Sequence, residues 1–147
     1  MKCLIRSLIA LELVRLIFGY KVDPDEDRNS PQFIESRGFI PETHQVTTKD
    51  GYILTVFRII NPKNGALRGL RPVIVQHGVL SSSDDFMAGS AGGGPPIDPR
   101  EKTLHCPNVE NNLAFVLSNL GYDVWLPNSR GNKYSKRHVR LDPSNGK

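Results

Sequence analysis

The chain has 147 residues, 38% hydrophobic and 23% charged, with 13 Gly and 11 Pro, a globular mixture that excludes a disordered, collagen-like or coiled-coil protein. One domain suits this length and can bury roughly two-thirds of its unfolded surface, while two cysteines, Cys3 and Cys106, are too few for a disulfide scaffold or a cysteine-only zinc site. The net charge is +4, and the excess lies in residues 130–147, where Arg130, Lys133, Lys136, Arg137, Arg140 and Lys147 face Asp142 alone. No aromatic ladder and no zinc-finger spacing accompany these cations, so nucleic acid is not an expected partner. Anionic lipid or phosphate could meet them, but a solvated basic face is the simpler reading.

Residues 1–19 read as an atypical signal peptide. Lys2 supplies a positive start and the Leu, Ile and Val residues that follow supply apolar content, but Arg6, Glu12 and Arg15 interrupt a core that should be uncharged. Three internal charges also make a transmembrane span costly, and an amphipathic surface helix is the alternative. Residues 21–36 are polar and acidic, an extended lead-in, with one helical turn over 32–37 stopped by Gly38.

A hairpin follows. Residues 43–48 alternate in character, Asp50-Gly51 is the turn with φ > 0 expected at both residues, and 52–60 is rich in Ile, Val, Phe and Tyr. Residues 61–65 (Asn-Pro-Lys-Asn-Gly) break that strand. The run Val73-Ile74-Val75 is continuously apolar and predicts a strand buried on both faces, ended by His77-Gly78. Residues 81–85 are a polar loop, with Asp84-Asp85 read as a solvated cap. Residues 87–107, rich in Gly and Pro, read as a flexible insertion. Gly92-Gly93-Gly94 lacks the Lys-Ser/Thr pair and helix start of a phosphate-binding loop.

A helix is expected over 110–120, with Asn108 as N-cap, Gly121 as stop, and an apolar face of Val109, Leu113, Val116, Leu117 and Leu120. Residues 122–126 again predict a buried strand, with Trp125 in the core. Strand, helix, strand after a hairpin implies an α/β fold: an antiparallel hairpin leading into a mixed, mostly parallel sheet. The strand at 122–126 is expected to carry an unpaired edge, and exposed apolar edges aggregate. His44, His105 and His138 lack spaced Cys or acidic partners, so no metal site is read. Asp123, Asn128 and Arg130 are read as structural groups that satisfy strand-end backbone.

Three segments carry a resemblance: Thr48-Lys49-Asp50-Gly51-Tyr52-Ile53-Leu54, Gln76-His77-Gly78-Val79-Leu80-Ser81-Ser82-Ser83, and residues 121–132, Gly-Tyr-Asp-Val-Trp-Leu-Pro-Asn-Ser-Arg-Gly-Asn. Together, in this order and spacing, they resemble the N-terminal part of the acid lipases, the gastric and lysosomal lipase group of the α/β-hydrolase fold. The resemblance covers about residues 22–143 apart from the loop at 87–107. Pro127 stands where that family usually has Gly, and Val79 where it usually has Leu.

The resemblance implies a partial α/β-hydrolase domain over 20–147 and a secreted or lysosomal enzyme acting on triacylglycerols or cholesteryl esters at a lipid–water interface, without metal or organic cofactor. Such hydrolysis needs a nucleophilic Ser on a Gly-x-Ser-x-Gly elbow, followed by an acid and a His. No Ser in this chain has Gly two residues before and two after, so no triad member is expected here and the chain alone is expected to be inactive. What the resemblance carries over is half an oxyanion hole: the backbone N–H of Val79, on a loop shaped by His77, Gly78 and Leu80. Gly78 is expected to supply the unusual backbone angles and close approach to substrate. The alternative is a non-catalytic, truncated lipase-like protein that binds lipid or a partner.

Overall fold

A computed structural model describes residues 23, 25–64, 69–88, 112–142 and 145. In chain order these form α1 (Ser30–Ser36), β1 (Ile40–Thr47), β2 (Tyr52–Ile60), β3 (Arg71–Ile74), α2 (Leu113–Asn119), β4 (Tyr122–Pro127) and the short β5 (Arg137–His138), with 3-10 turns at Pro62–Asn64 and Ser83–Phe86. The expected signal peptide, the glycine run and all of the proposed insertion beyond Ala88 lie outside the described residues.

Helix α1 is closed by local chemistry. Asn29 and Gln32 form a reciprocal capping box, in which each side chain accepts from the other residue's backbone N–H. Gly38 ends the helix with φ +78, its N–H donating to the Glu35 carbonyl at 2.9 Å. Before it, Asp25 is buried and ion-paired with both Arg28 and Arg37, which ties the acidic lead-in to the helix. Burial alone would raise the Asp25 carboxyl, but hydrogen bonds from Arg37 and then Arg28 outweigh it and hold it below its usual value.

The hairpin forms with β1 antiparallel to β2 in the register Thr47↔Ile53 through Ile40↔Ile60. Its turn differs from the expectation. Only Gly51 has positive φ, at +95, and Asp50 does not. Thr48 N–H donates to the Tyr52 carbonyl and Gly51 N–H to the Thr48 carbonyl, so the connection is a three-residue loop with a left-handed glycine at its end. A Cβ at Gly51 would lie 2.7 Å from His138 Nε2, so β5 packs here only because the position is glycine.

The sheet order is β1-β2-β4-β3, with β5 on β2; β2–β4 is antiparallel and β3–β4 parallel. It is the expected mixed sheet. The unpaired edge falls elsewhere than expected: β4 is paired on both sides, and the edges of the described sheet are β1 and β3. Ile74 on β3 is 70% exposed, which corrects the reading of Val73-Ile74-Val75 as buried on both faces.

The inner face carries Phe57 and Ile59 of β2 opposite Leu126 and Val124 of β4. Phe33, Ile34 and Phe39 pack there from the α1 side, Ala114 and Phe115 from α2, and Met87 from beyond the 3-10 turn. Met87 is therefore core, and not the first residue of a flexible loop. Residue alternation places Arg58 and Trp125 on the opposite face. There the Arg58 guanidinium lies 5.0 Å from the Trp125 ring centroid and bridges Asp123 and Glu42. Trp125 is thus a half-buried platform on the sheet's outer face, with His44 4.9 Å away, and not a core residue.

Helix α2 also corrects its forecast. It begins at Leu113 after Asn112, and Asn108 lies outside the described residues. Its buried face is Ala114, Phe115 and Ser118; Leu113 is 48% exposed, and Val116 and Leu117 are only partly buried. The reason is tertiary. Phe115 stacks on Phe39 with centroids 5.1 Å apart, so the buried face centres on Ala114, Phe115 and Ser118, with Val116 and Leu117 packed at its border. Gly121 stops the helix as expected, with φ +85. Truncating Phe115 to Ala should cost about 3–5 kcal/mol, whereas Leu113→Ala should cost under about 1 kcal/mol. Denaturant unfolding of the two variants checks which face is buried.

Candidate functional site

Two loops meet at the C-terminal ends of the parallel strands β3 and β4. One runs over 75–82 and the other over 128–135. Between them lies an open cleft of about 970 Å³, lined among others by His77, Gly78, Val79, Leu80, Ser129 and Asn132. Open α/β sheets present ligand sites at this end of their strands.

His77 is the buried pin of the first loop. Its Nε2 accepts from the Ser129 backbone N–H at 3.1 Å and from Asn132 Nδ2 at 3.2 Å. A backbone N–H can only donate, so the ring proton sits on Nδ1, which donates to the Gly78 carbonyl at 2.8 Å. The imidazole meets the backbone of Ser129, while the Ser129 hydroxyl accepts from Gln76 Nε2 at 3.3 Å. The pair is therefore not a nucleophile and its base.

Beyond the pin the loop turns outward. Val79 is 94% exposed and Leu80 fully exposed. Leu80 has φ +62, the only non-glycine with positive φ among the described residues. Such a conformation costs on the order of 1–3 kcal/mol and persists only where the surroundings enforce it. The expectation assigned the unusual backbone to Gly78. The structure places it at Leu80, and a Cβ at Gly78 would stand in open space.

A buried polar cluster holds the two loops together. Asn128 accepts the Ser83 backbone N–H and donates to the Ser83 hydroxyl, both at 3.1 Å. Asn132 donates to Asn128 Oδ1 at 2.8 Å, and its own Oδ1 accepts the backbone N–H groups of Tyr134 and Ser135. Ser83 meets Ser30 of α1 at 2.6 Å, and Tyr134 OH accepts from Ser30 N–H while donating to Asp84 Oδ1 at 2.7 Å. Asp84 receives Ser30 as well and is ion-paired with Lys133. It is the hub of this cluster, which corrects its reading as a solvated cap; Asp85, exposed and bonded to Ser81, does fit that description.

The other assigned residues divide. Asn128 does satisfy backbone, as expected. Asp123 instead pairs with Arg58, and Arg130 pairs with Asp50 at 2.6 Å while lying 4.4 Å over the Tyr52 ring. Among the described residues no group of three His, Cys, Asp or Glu side chains could hold a metal ion, and no helix is long and apolar enough to cross a membrane.

The site's loops and the hairpin fall in a segment with relatives. Residues 30–90 match the family described as partial alpha/beta-hydrolase lipase region. The chain is 36% identical over 127 residues to Lipase member K of Homo sapiens, covering 85% of this chain and 27% of that protein. It is 38% identical over 123 residues to gastric triacylglycerol lipase of Rattus norvegicus, covering 82% and 27%. With Lipase lipl-3 of Caenorhabditis elegans it shares 38% identity over 144 residues, covering 94% and 31%.

The chain corresponds to the N-terminal part of the acid lipase family. It spans between about a quarter and a third of the length of these relatives. The α/β-hydrolase class expected from the three motifs is the class found. Within that lipase pattern, Asn132, Ser83, Asp84 and Tyr134 were not singled out as site residues by sequence reasoning. The signal present was only the density of small polar residues at 81–85 and 128–135, which by itself also describes exposed loops.

Asp84 gives the cluster a pH dependence. Burial alone raises its carboxyl, but hydrogen bonds from Lys133, Ser30 and Tyr134 prevail and hold it below its ordinary value of 3.8. A group whose folded pKa is depressed stabilises when ionised, so its contribution is present above the unfolded value and is lost as pH falls through the folded one. Stability should therefore drop on acidification below about pH 4, and Asp84→Asn should shallow that acid limb. Unfolding curves of both chains across pH 2–6 check the slope.

Proposed function

We propose that this chain is the N-terminal part of a lipid-ester hydrolase, and that Val79 donates its backbone N–H to the oxyanion of the tetrahedral intermediate. The reading rests on one observation: a buried His77 pins a loop whose next residues line the rim of an open cleft, with Leu80 held left-handed. A loop held in one strained shape is what a fixed donor requires, because a preorganised N–H needs no rearrangement as charge develops. Triacylglycerol is the substrate class best supported, since it is in the printed name of the gastric relatives. Cholesteryl esters remain within the same proposal through the family resemblance. We place the protein in a secreted or lysosomal setting on the same grounds.

The chemistry divides between this chain and residues it does not contain. Gly-x-Ser-x-Gly is absent from its 147 residues, so the acyl-enzyme would form on a serine elsewhere in the intact polypeptide. The role of the present residues is binding and positioning: the cleft receives the ester, His77 and Asn132 hold the loop, and Val79 meets the developing negative charge.

Peptide mapping of the native polypeptide establishes whether a serine elbow lies on it. In that intact enzyme, Val79→Pro removes the N–H and should lower kcat by about 100- to 1,000-fold with little change in KM. Val79→Leu keeps the N–H and should retain activity. Full activity of Val79→Pro, or turnover of a short-chain ester by the 147-residue chain alone, overturns the proposal.

A further inference from the structure

Arg130 and Lys133 of the basic excess line the cleft; the part at 136–140 does not. Its place in the fold is a second surface at the same end of the sheet. After β5 the chain makes a tight turn organised by His138. The Nε2 of His138 donates to the Asp50 carbonyl at 2.8 Å, and its Nδ1 accepts the backbone N–H groups of Arg140 and Leu141 at 3.0 and 3.1 Å. Val139 N–H donates to the Gly51 carbonyl at 2.9 Å, so the turn is anchored on the hairpin loop.

This anchoring fixes what the turn displays. Val139 is 55% exposed and Leu141 is 61% exposed, apolar side chains held outward with no covering group among the described residues. Around them Lys136, Arg137 and Arg140 are exposed, and none makes an ion pair among the described residues. A hollow of about 580 Å³ lies beside them, lined by Tyr52, Lys136, His138, Arg140, Asp142 and Asn145. Arg130 links the two regions, lining the cleft while pairing with Asp50, whose carbonyl holds His138.

Cations surrounding outward-facing aliphatic side chains match one kind of surface better than others. An anionic lipid layer offers negative headgroups for the former and an acyl boundary for the latter. A soluble polyanion would use the cations and leave Val139 and Leu141 in water. We propose that the turn over 136–141 is a docking surface for an anionic lipid layer, and that it brings the cleft end of the sheet against that layer. The proposal does not depend on Val79 being an oxyanion donor, and its test does not measure hydrolysis.

The experiment is sedimentation of the 147-residue chain with vesicles of phosphatidylcholine alone or with about 30% phosphatidylglycerol, a fraction chosen to give a strongly negative surface. The parent chain should bind the anionic vesicles more tightly than the neutral ones. Each cation near such a surface is worth about fivefold in affinity, so Lys136→Gln/Arg137→Gln/Arg140→Gln should weaken binding about a hundredfold. Val139→Ser/Leu141→Ser should weaken it about tenfold or more. The residues 1–20 are common to all variants, so any contribution from them cancels in the comparison. A test without substitutions guards against misfolded variants: raising NaCl from about 50 to about 500 mM should weaken anionic-vesicle binding at least about tenfold. Equal binding to neutral and anionic vesicles overturns the proposal. So does a Val139→Ser/Leu141→Ser chain that binds like the parent, because that result marks a plain polyanion site.

Discussion

The paired side-chain contact between Asn128 and Ser83 is the constraint on which the site depends. It joins the loop after β4 to the loop after β3 by two hydrogen bonds at 3.1 Å, both buried. Each bond is worth only about 0.5–1.5 kcal/mol net, yet leaving a buried partner unsatisfied costs about 1–3 kcal/mol. The cluster therefore acts as a unit. Asn132 extends it to His77, and Ser30 and Tyr134 extend it to α1 and Asp84. Through that chain of contacts, the helix before the hairpin, the 3-10 turn and the two loops hold one relative geometry.

The cluster explains how a strained residue can persist at an exposed tip. Leu80 makes no core contact that could compensate its left-handed backbone. Compensation comes from the fixed ends of the loop: His77 bonded to both Ser129 and Asn132 on one side, and Ser82 and Ser83 held in the 3-10 turn on the other. The apolar core contributes from below. Met87 closes the turn by burying its side chain, and Phe57 packs edge-on against Tyr134 at 5.0 Å. Core and polar cluster thus share Tyr134, whose ring belongs to the one and whose hydroxyl belongs to the other.

Charge is sorted by the same architecture. On the outer face of the sheet Arg58 is neutralised by Asp123 and Glu42 and covers Trp125. Lys133 is taken up by Asp84 and Arg130 by Asp50. At the His138 turn three exposed cations, Lys136, Arg137 and Arg140, stand together without an ion pair among the described residues. The positive excess that the sequence places in residues 130–147 thus reaches the cleft through Arg130 and Lys133 and the neighbouring turn through Lys136, Arg137 and Arg140.

The sequence alone determined the features that local chemistry controls. The hairpin was legible because Asp50-Gly51 separates two runs of opposite patterning, and β2 begins and ends where that pattern does. Gly38 and Gly121 were legible as helix stops, since only a residue without Cβ takes their left-handed angles freely. The three motifs were sufficient to reach the lipase family. What the tertiary structure decided are matters of partner and direction. The buried face of α2 centres on Phe115 against Phe39, which leaves Leu113 exposed and Val116 and Leu117 at the border of the core. Trp125 lies outward because β4 alternates against β2, although its neighbours are apolar. The open edges fell to β1 and β3 and not to β4, because strand order, not strand composition, sets which strand lacks a neighbour. Asp84 and Asn132 became the centre of the site only when folding removed them from water, where a polar side chain must find a partner or cost stability.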